Sequence, residues 1–170
     1  MSRKDAETLK DFYLATLREK EKYLERRRDA KRFYLGDSAR KQEVVMTENE
    51  ISAIIVDTCF KIHTELGAGL FESVYEEILT FELKEVGLFV ERQKPIPVVW
   101  KSIKMEEGFR ADLIIERKVI IEIKSIESVL PVHKKQLLTY LKLTGLKLGL
   151  LVNFNEALIK DGITRIVNKL

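Results

Sequence analysis

The stretch FRADLIIERKVIIEIKS, residues 109–125, places three charged residues within two runs of aliphatic residues. Asp112, Glu122 and Lys124 are of types that are rarely buried in proteins unless they are paired or bound to a metal. Glu122 and Lys124 lie two residues apart, so on a strand they project from the same face. Two carboxylates beside an ammonium group could bind a divalent cation and stabilise charge that develops on a phosphate. The stretch is therefore a candidate metal and phosphate site on a β-hairpin.

Whether Asp112 joins the other two charges depends on the register of that hairpin. A three-residue loop, Glu116-Arg117-Lys118, sets Asp112 opposite Glu122, and opposed residues of an antiparallel pair share a face. A two-residue loop would set Asp112 opposite Ile123 and separate the carboxylates. We predict the three-residue loop, because the other register scatters the charges over both faces. Such a loop usually ends in a left-handed residue, a position for which Lys118 is poorly suited.

In this register the oxygen ligands are of the kind that suits Mg²⁺ or Mn²⁺. Such an ion lowers the pKa of a bound water and clamps the oxygens of a phosphate under attack. Lys124 would stabilise the developing charge or position the attacking water. The alternative is a structural salt bridge on an exposed sheet face. Spacing alone favours neither, because an Asp followed ten residues later by Glu-x-Lys is frequent by chance.

The hairpin requires a sheet and helices around it, and residues 46–170 supply both. A capping box formed by Thr47 and Glu50 predicts a helix that runs to about Leu66. The further predicted elements are a helix from about Leu70 to Val86, strands at LFVERQ and VVWKSIKM, a helix from about His133 to Thr144, and strands at LGLLVNF and ITRIV. This order predicts an α/β domain around a mixed β-sheet.

Residues 1–45 differ from this domain in composition and read as a charged helical extension and linker. They hold 13 Lys and Arg against 9 Asp and Glu, whereas residues 46–170 hold 17 against 18. Residues 8–35 fit one long helix. Three interpretations stay open: a basic arm for a phosphate backbone, a helix that packs on a protein partner or a second copy, or an extension without a selected role if Met46 is the true start.

Composition excludes several classes of protein. No apolar run approaches the roughly 20 residues that span a bilayer, so we expect no membrane partner. The N-terminus has no apolar signal-peptide core. The single cysteine, Cys59, excludes an internal disulfide framework and a cysteine-rich zinc site. We therefore expect a cytoplasmic protein.

The stretch GLFESVYE, with Gly69, Glu72 and Tyr75, resembles the signature of the GxxExxY protein family. That family belongs to the PD-(D/E)XK nuclease-like superfamily. The resemblance covers roughly residues 47–154. It rests on the motifs HTELGAGLFESVYEE, ERQKPIPV, FRADLIIE, VIIEIKSIE, PVHKKQLLTYLK and LGLLVNF, which occur in the expected order. It implies a restriction-endonuclease-like core, a mixed sheet flanked by helices.

The resemblance also implies catalytic and metal-binding roles. Asp112 matches the first acidic residue of the hairpin, and Glu122 with Lys124 matches the E-x-K that completes the metal site. Glu72 matches an acidic helix residue that assists metal binding in related nucleases. We expect the Ile123 carbonyl to be a further ligand. The superfamily's Pro is replaced by an Ala before the Asp, which is usual in the family.

The remaining candidate residues concern the substrate. Gln136 and Tyr140 look like the Q-x-x-x-Y pair of exonuclease-like relatives and would orient substrate. Arg110 would contact a phosphate or neutralise the carboxylates. Tyr75 would stack on a base or pack in the core with its hydroxyl satisfied, and His133 would cap its helix or touch a phosphate. On the helix that carries Tyr75, Glu72 and Glu76 share its face.

These observations predict a Mg²⁺- or Mn²⁺-dependent nuclease that hydrolyses phosphodiester bonds of DNA. The alternative is a non-catalytic nucleic-acid-binding or assembly module on the same fold, with the N-terminal helix recruiting a partner. The near-neutral charge of residues 46–170 favours the alternative, and the complete charged set favours the enzyme. Metal binding at Asp112 discriminates the two.

Overall fold

A computed structural model describes residues 46–170, together with Glu25, and these residues build a five-stranded mixed β-sheet with helices. In chain order the elements are helix α1 (Glu48–Leu66), helix α2 (Glu72–Glu85), strand β1 (Val90–Trp100), strand β2 (Ile103–Ile115), strand β3 (Val119–Lys124), helix α3 (Pro131–Thr144), strand β4 (Leu148–Asn153), the short helix α4 (Ile159–Gly162) and strand β5 (Ile163–Val167). The predicted α/β fold with a mixed sheet is confirmed.

The strands are ordered β1-β2-β3-β4-β5 across the sheet. Only β3 and β4 are parallel, and α3 makes the crossover between them. Both are short and almost entirely buried, as expected for central strands whose two faces are covered. The candidate charges of the hairpin therefore lie at the centre of the sheet rather than on an exposed face.

The first hairpin, β1 with β2, differs from the prediction. The segment KPIP does not separate two strands, because β1 runs through it to Trp100. Prolines are tolerated there because β1 is an edge strand and the register shifts between Ile96 and Val98, around Pro97. The run VVWKSIKM is not one strand either. It turns at Lys101, which has a positive φ of 53°, and continues as the start of β2.

The second hairpin, β2 with β3, has the predicted register. Leu113 pairs with Ile121 and Ile115 with Val119, which leaves a loop of three residues. The expectation of a left-handed residue at the end of this loop is wrong: the positive φ angles fall on Glu116 (50°) and Arg117 (56°). Contacts with Phe89 explain the conformation. Its backbone N–H donates to the Glu116 carboxylate (2.7 Å), and the Arg117 guanidinium lies over its ring.

Helix boundaries follow the predicted signals closely. The capping box at the start of α1 is present: Thr47 donates its N–H to Glu50 Oε2 (2.8 Å), and the Glu50 N–H donates back to Thr47 Oγ1 (3.3 Å). Helix α3 begins at Pro131, two residues earlier than predicted, and ends at Thr144, where the following Gly145 is left-handed with a φ of 74°.

Helix α3 packs closely on the sheet. A Cβ at Gly149 of β4 would lie 2.9 Å from Leu137 of α3, so the glycine permits this approach. The buried residues of this core are Ile96, Ala111, Ile114, Ile120, Leu137, Tyr140, Leu141 and Leu151. Residues alternate between faces along a strand, so Glu122, two residues after Ile120 of this core, lies on the α3 side of the sheet.

The chain divides into two compact units between Asp57 and Thr58, inside α1. Every candidate site residue lies in the second unit, Thr58–Leu170. The predicted extension over residues 1–45 lies outside the described residues apart from Glu25, which is helical and exposed. The predicted boundary at residues 45 and 46 therefore stays a prediction. None of the described helices has the length and apolar character needed to cross a membrane.

Candidate functional site

Asp112 lies where the ladder between β2 and β3 ends. Its Oδ2 accepts a hydrogen bond from the backbone N–H of Ile123 (2.8 Å), and its Oδ1 lies 3.4 Å from Nε2 of Gln93. The first contact fixes the carboxylate of β2 against the backbone of β3. The Asp112 carboxylate therefore lies beside Glu122, the residue that precedes Ile123.

Glu122 and Lys124 form an ion pair along β3. Lys124 Nζ donates to Glu122 Oε1 at 2.8 Å, and the two side chains are 17% and 5% exposed. The other carboxylate oxygen, Glu122 Oε2, is buried and accepts no hydrogen bond from the part of the chain that the structure describes. A buried carboxylate oxygen without a donor is unfavourable by about 1–3 kcal/mol, and more when it is charged.

The charges of this cluster shift one another's titration. Burial raises the pKa of Glu122 to about 7, and the negative charge of Asp112 adds to the rise while Lys124 opposes it. Burial likewise raises the pKa of Asp112, although the Ile123 N–H and Lys124 favour the ionised form. Burial acts to lower the pKa of Lys124, but its hydrogen bond to Glu122 and the surrounding carboxylates outweigh this effect and raise it. The site thus combines two carboxylates that resist ionisation with a firmly protonated ammonium group.

Glu72, the first residue of α2, lies near this pair without joining it. Its Oε1 accepts the backbone N–H of Ser125 (3.0 Å), the residue after Lys124, and Ser125 Oγ donates to the Leu70 carbonyl (2.7 Å). Within residues 46–170, no three His, Cys, Asp or Glu side chains are gathered closely enough to ligate one ion. The structure therefore brings Asp112 and Glu122 together and leaves Glu72 bound to the backbone at the end of β3.

Gln136 and Tyr140 of α3 contact one another over the same face of the sheet. Gln136 Nε2 donates to the Tyr140 hydroxyl, and the Tyr140 ring packs on Phe109 of β2 with centroids 5.1 Å apart. Burial raises the pKa of Tyr140, and the charges of Glu122 and Asp112 add to the effect. Tyr140 therefore lies within electrostatic range of both carboxylates.

The structure excludes one of the two predicted roles of Tyr75 and one of the two predicted roles of Arg110. Tyr75 is completely buried and stacks on Phe154 with centroids 4.2 Å apart, while its hydroxyl donates to the Gly67 carbonyl at 2.7 Å. The expectation that its ring stacks on a base is wrong, and the alternative of core packing is correct. Arg110 pairs with Glu107 at 3.1 Å and donates to the Gln93 carbonyl, so it does not neutralise the site carboxylates.

His133 has the capping contact that was one of its two predicted roles. Its Nδ1 accepts the backbone N–H of Leu130 (3.2 Å), just before α3 begins. This bond satisfies one of the donors that a helix N-terminus otherwise leaves free. The contact with a phosphate stays a prediction.

The sequence analysis missed two residues near Asp112: Gln93 contacts Asp112 directly, and Glu76 contacts Gln93. Gln93 of β1 donates from Nε2 to Glu76 Oε2 (2.7 Å) as well as lying beside Asp112, and Glu76 also accepts from Arg92 Nε (3.0 Å). Glu76 shares a helical face with Glu72, which was visible in the sequence. Gln93 carried no signal, because it reads as an ordinary polar residue at the end of the predicted strand LFVERQ.

A family model described as the PD-(D/E)XK nuclease superfamily matches residues 49–166, which is more than half of the chain. The chain belongs to the PD-(D/E)XK nuclease superfamily. No curated protein and no solved structure matches it significantly. The superfamily consists in general of nucleases that use divalent metals and bind nucleic acid. The finer resemblance to GxxExxY proteins stays a prediction.

The residues present in this PD-(D/E)XK domain fit a magnesium-like ion. Mg²⁺ in nuclease-type sites is held by one or two carboxylates and keeps several waters, so two converging carboxylates are sufficient. Glu122 Oε2 is a buried ligand atom that lacks a donor, and a cation would satisfy it. The donor set is oxygen only, which suits Mg²⁺ or Mn²⁺ rather than zinc.

Proposed function

We propose that this protein is a metal-dependent nuclease that hydrolyses phosphodiester bonds of DNA, as the superfamily membership and the local chemistry both favour. The observation that carries the proposal is the Glu122 carboxylate. One of its oxygens pairs with Lys124 at 2.8 Å, while the other is buried without a hydrogen-bond donor beside a second carboxylate. A purely structural ion pair with Lys124 leaves this buried oxygen without a partner. A bound metal ion would provide the partner.

In this proposal Asp112 and Glu122 hold Mg²⁺ or Mn²⁺, with the Ile123 carbonyl as a further ligand. Glu72 belongs to an outer position, where its contact with the Ser125 N–H keeps the end of β3 in place. When bound, the ion supplies an acidic water and neutralises phosphate oxygens during an in-line displacement.

The protein's own groups then act on the phosphate. Lys124 is protonated and half-buried at the end of β3, so its ammonium group can stabilise the negative charge that grows on the phosphate oxygens. Gln136 and Tyr140, already hydrogen-bonded to one another, would orient the substrate over the carboxylates. Arg110 lies exposed on β2, where a phosphate contact in place of its Glu107 partner fits a role in substrate binding.

Cleavage of end-labelled DNA tests the proposal. Single- and double-stranded DNA, and RNA of the same sequence, are incubated with Mg²⁺ or Mn²⁺ and with native protein, Lys124→Ala, Asp112→Asn and Lys142→Ala. Lys142 is an exposed lysine of α3, so its replacement changes net charge as Lys124→Ala does. We expect metal-dependent DNA cleavage by the native protein and Lys142→Ala, and a loss of at least a hundredfold in the other two. Equal cleavage by all four proteins would assign the activity to a contaminant.

A second candidate is a non-catalytic nucleic-acid-binding module, and two observations favour it. The described residues provide no cluster of three potential metal ligands, and burial raises the pKa of both Glu122 and Asp112, which disfavours their ionised forms. Such a module would bind DNA without metal and would not cut it. Binding of a fluorescent DNA by native protein in EDTA, with affinity unchanged by Mn²⁺ or by Asp112→Asn, would favour this candidate.

A further inference from the structure

Gln93 adopts a backbone conformation that its residue type disfavours. Its φ is 46°, in the left-handed region, although it lies within β1. Arg92 pairs with Leu113 and Lys94 with Ala111 on β2, but the ladder is interrupted at Gln93, opposite Asp112. Left-handed residues other than glycine are strained, and such strain persists only where the surroundings hold it in place.

The side chain of Gln93 makes the contacts that hold this conformation. Its Nε2 donates to Glu76 Oε2 at 2.7 Å and lies 3.4 Å from Asp112 Oδ1, so one amide group lies between two carboxylates. The orientation of the amide is fixed by chemistry, since a reversed amide would present its oxygen to both negative groups. The amide therefore acts as a donor toward Asp112.

Glu76 anchors this amide to α2. Glu76 is 7% exposed, and its Oε1 accepts a hydrogen bond from Arg92 Nε at 3.0 Å. The contacts form a continuous series from α2 through β1 and Asp112 to the Ile123 N–H of β3. Each carboxylate oxygen of Asp112 thus has a donor on a different strand, and the two donors together restrain the orientation of the carboxylate.

We propose that Gln93 is a positioning residue that holds Asp112 in the orientation in which it binds the metal. This inference rests on the proposed function, because it assigns a role within the same site. It also explains the strain: a glycine at position 93 would adopt the left-handed conformation readily but would leave Asp112 Oδ1 without its donor. At this position the strained residue thus supplies a side-chain donor that glycine lacks.

Gln93→Gly separates the side chain from the backbone, since it removes the amide and relieves the φ angle. We expect its melting temperature to stay within about 4 °C of the native value. We expect its Mn²⁺ affinity, measured by calorimetry, to fall about tenfold, as is usual when a residue that orients a metal ligand is removed. Lys101→Gly is the matched control. Lys101 is also left-handed (φ 53°) but exposed in the turn after β1, so its replacement should leave Mn²⁺ affinity unchanged.

Amide hydrogen exchange in metal-free protein gives a second, independent measurement. The Ile123 N–H donates to Asp112, so a carboxylate that loses its orientation should release it. We expect Ile123 exchange to accelerate about tenfold in Gln93→Gly, with Ile121 unchanged as an internal reference. Unchanged exchange at Ile123, or a native Mn²⁺ affinity in Gln93→Gly, would overturn the inference.

The two measurements keep this inference distinct from the proposed function. Faster Ile123 exchange in Gln93→Gly, in a protein whose native form binds no Mn²⁺, would support the positioning of Asp112 and contradict the metal-dependent nuclease. Metal-dependent cleavage by the native protein would support the nuclease. If Gln93→Gly then had native Mn²⁺ affinity and native Ile123 exchange, the positioning role of Gln93 would be contradicted.

Discussion

The Asp112 carboxylate takes the place of a backbone acceptor for Ile123. The ladder between β2 and β3 pairs Leu113 with Ile121 as its last step, and beyond it the Ile123 N–H donates to Asp112 Oδ2 at 2.8 Å. One side chain thus serves two purposes, because it satisfies a buried amide of the central strand and holds a negative charge beside Glu122. Asp112 thus has a structural role and a role in the candidate metal site, and substitutions can separate the two.

Replacement of Asp112 by Asn or Ala should therefore have different consequences. An Asn can still accept the Ile123 N–H with its carbonyl oxygen, although its Nδ2 then faces the Gln93 amide, so we expect a free energy of unfolding within about 1 kcal/mol of native. Asp112→Ala leaves that amide without an acceptor and should cost about 1–3 kcal/mol. Both should lose the stabilisation by Mn²⁺. Urea unfolding with and without Mn²⁺ measures these effects, and a full metal response in Asp112→Asn would contradict the site.

The pKa of Glu122 predicts how the metal-free protein responds to pH. Its folded pKa of about 7 lies above its ordinary 4.5, so the folded state binds a proton more tightly than the unfolded state. Its contribution to stability is complete below pH 4.5 and is lost as pH rises through 7. The raised pKa of Lys124 has no effect in this window, because the lysine stays protonated. We expect a loss on the order of 2 kcal/mol between pH 5 and 8 in EDTA.

Glu122→Gln is the control for this pH effect. The amide does not titrate, so the difference between native and variant isolates the contribution of Glu122 from that of other groups. We expect this difference to change over pH 5–8 in urea unfolding with EDTA. It should become nearly constant when Mn²⁺ is added, because the metal keeps the folded carboxylate ionised, as it already is in the unfolded chain. A difference that stays constant with pH in EDTA would show that Glu122 has an ordinary pKa.

Tyr75 and Tyr140 should respond differently to removal of their hydroxyl groups. Tyr75→Phe removes the bond to the Gly67 carbonyl in the loop before α2, which should lower stability by about 1 kcal/mol and leave cleavage unchanged. Tyr140→Phe removes the partner of Gln136 beside the carboxylates, so we expect slower cleavage. Initial rates on labelled DNA and thermal unfolding of both variants measure this. Slower cleavage by Tyr75→Phe alone would give the Tyr75 hydroxyl a role in the reaction and contradict its purely structural assignment.

The sequence predicted the centre of the sheet well because several constraints there agree. Charges within an apolar strand must share a face with a partner, and this requirement alone selected the register in which Leu113 opposes Ile121. Helix ends were predicted from capping residues, such as Thr47 with Glu50. The chemistry of Asp112, Glu122 and Lys124 followed from residue type, and the structure adds the orphaned oxygen of Glu122.

The edge of the sheet was harder to predict, and the missed contacts lie there. Pro95 and Pro97 suggested a break, but an edge strand tolerates prolines, so β1 continued through them. Gln93 could not be found for a related reason. Its role depends on a left-handed backbone and on the approach of α2, and neither is encoded in local periodicity. Tyr75 was ambiguous because its position between Glu72 and Glu76 on one helical face fits packing and substrate contact equally.

The start of α2 offers a last prediction, on stability. Phe71 occupies the N-cap position, where it makes no side-chain hydrogen bond and is 82% exposed. A serine at an N-cap accepts a backbone N–H of the first turn, so Phe71→Ser should raise the free energy of unfolding by about 0.5–1 kcal/mol. Phe81→Ser is the matched control. Phe81 is 60% exposed in the interior of the same helix, where the backbone N–H groups are already bonded within the helix, so a serine there should not raise the free energy of unfolding. Urea unfolding in EDTA decides the matter, and a destabilised Phe71→Ser would mean that the Phe71 ring packs against the folded protein.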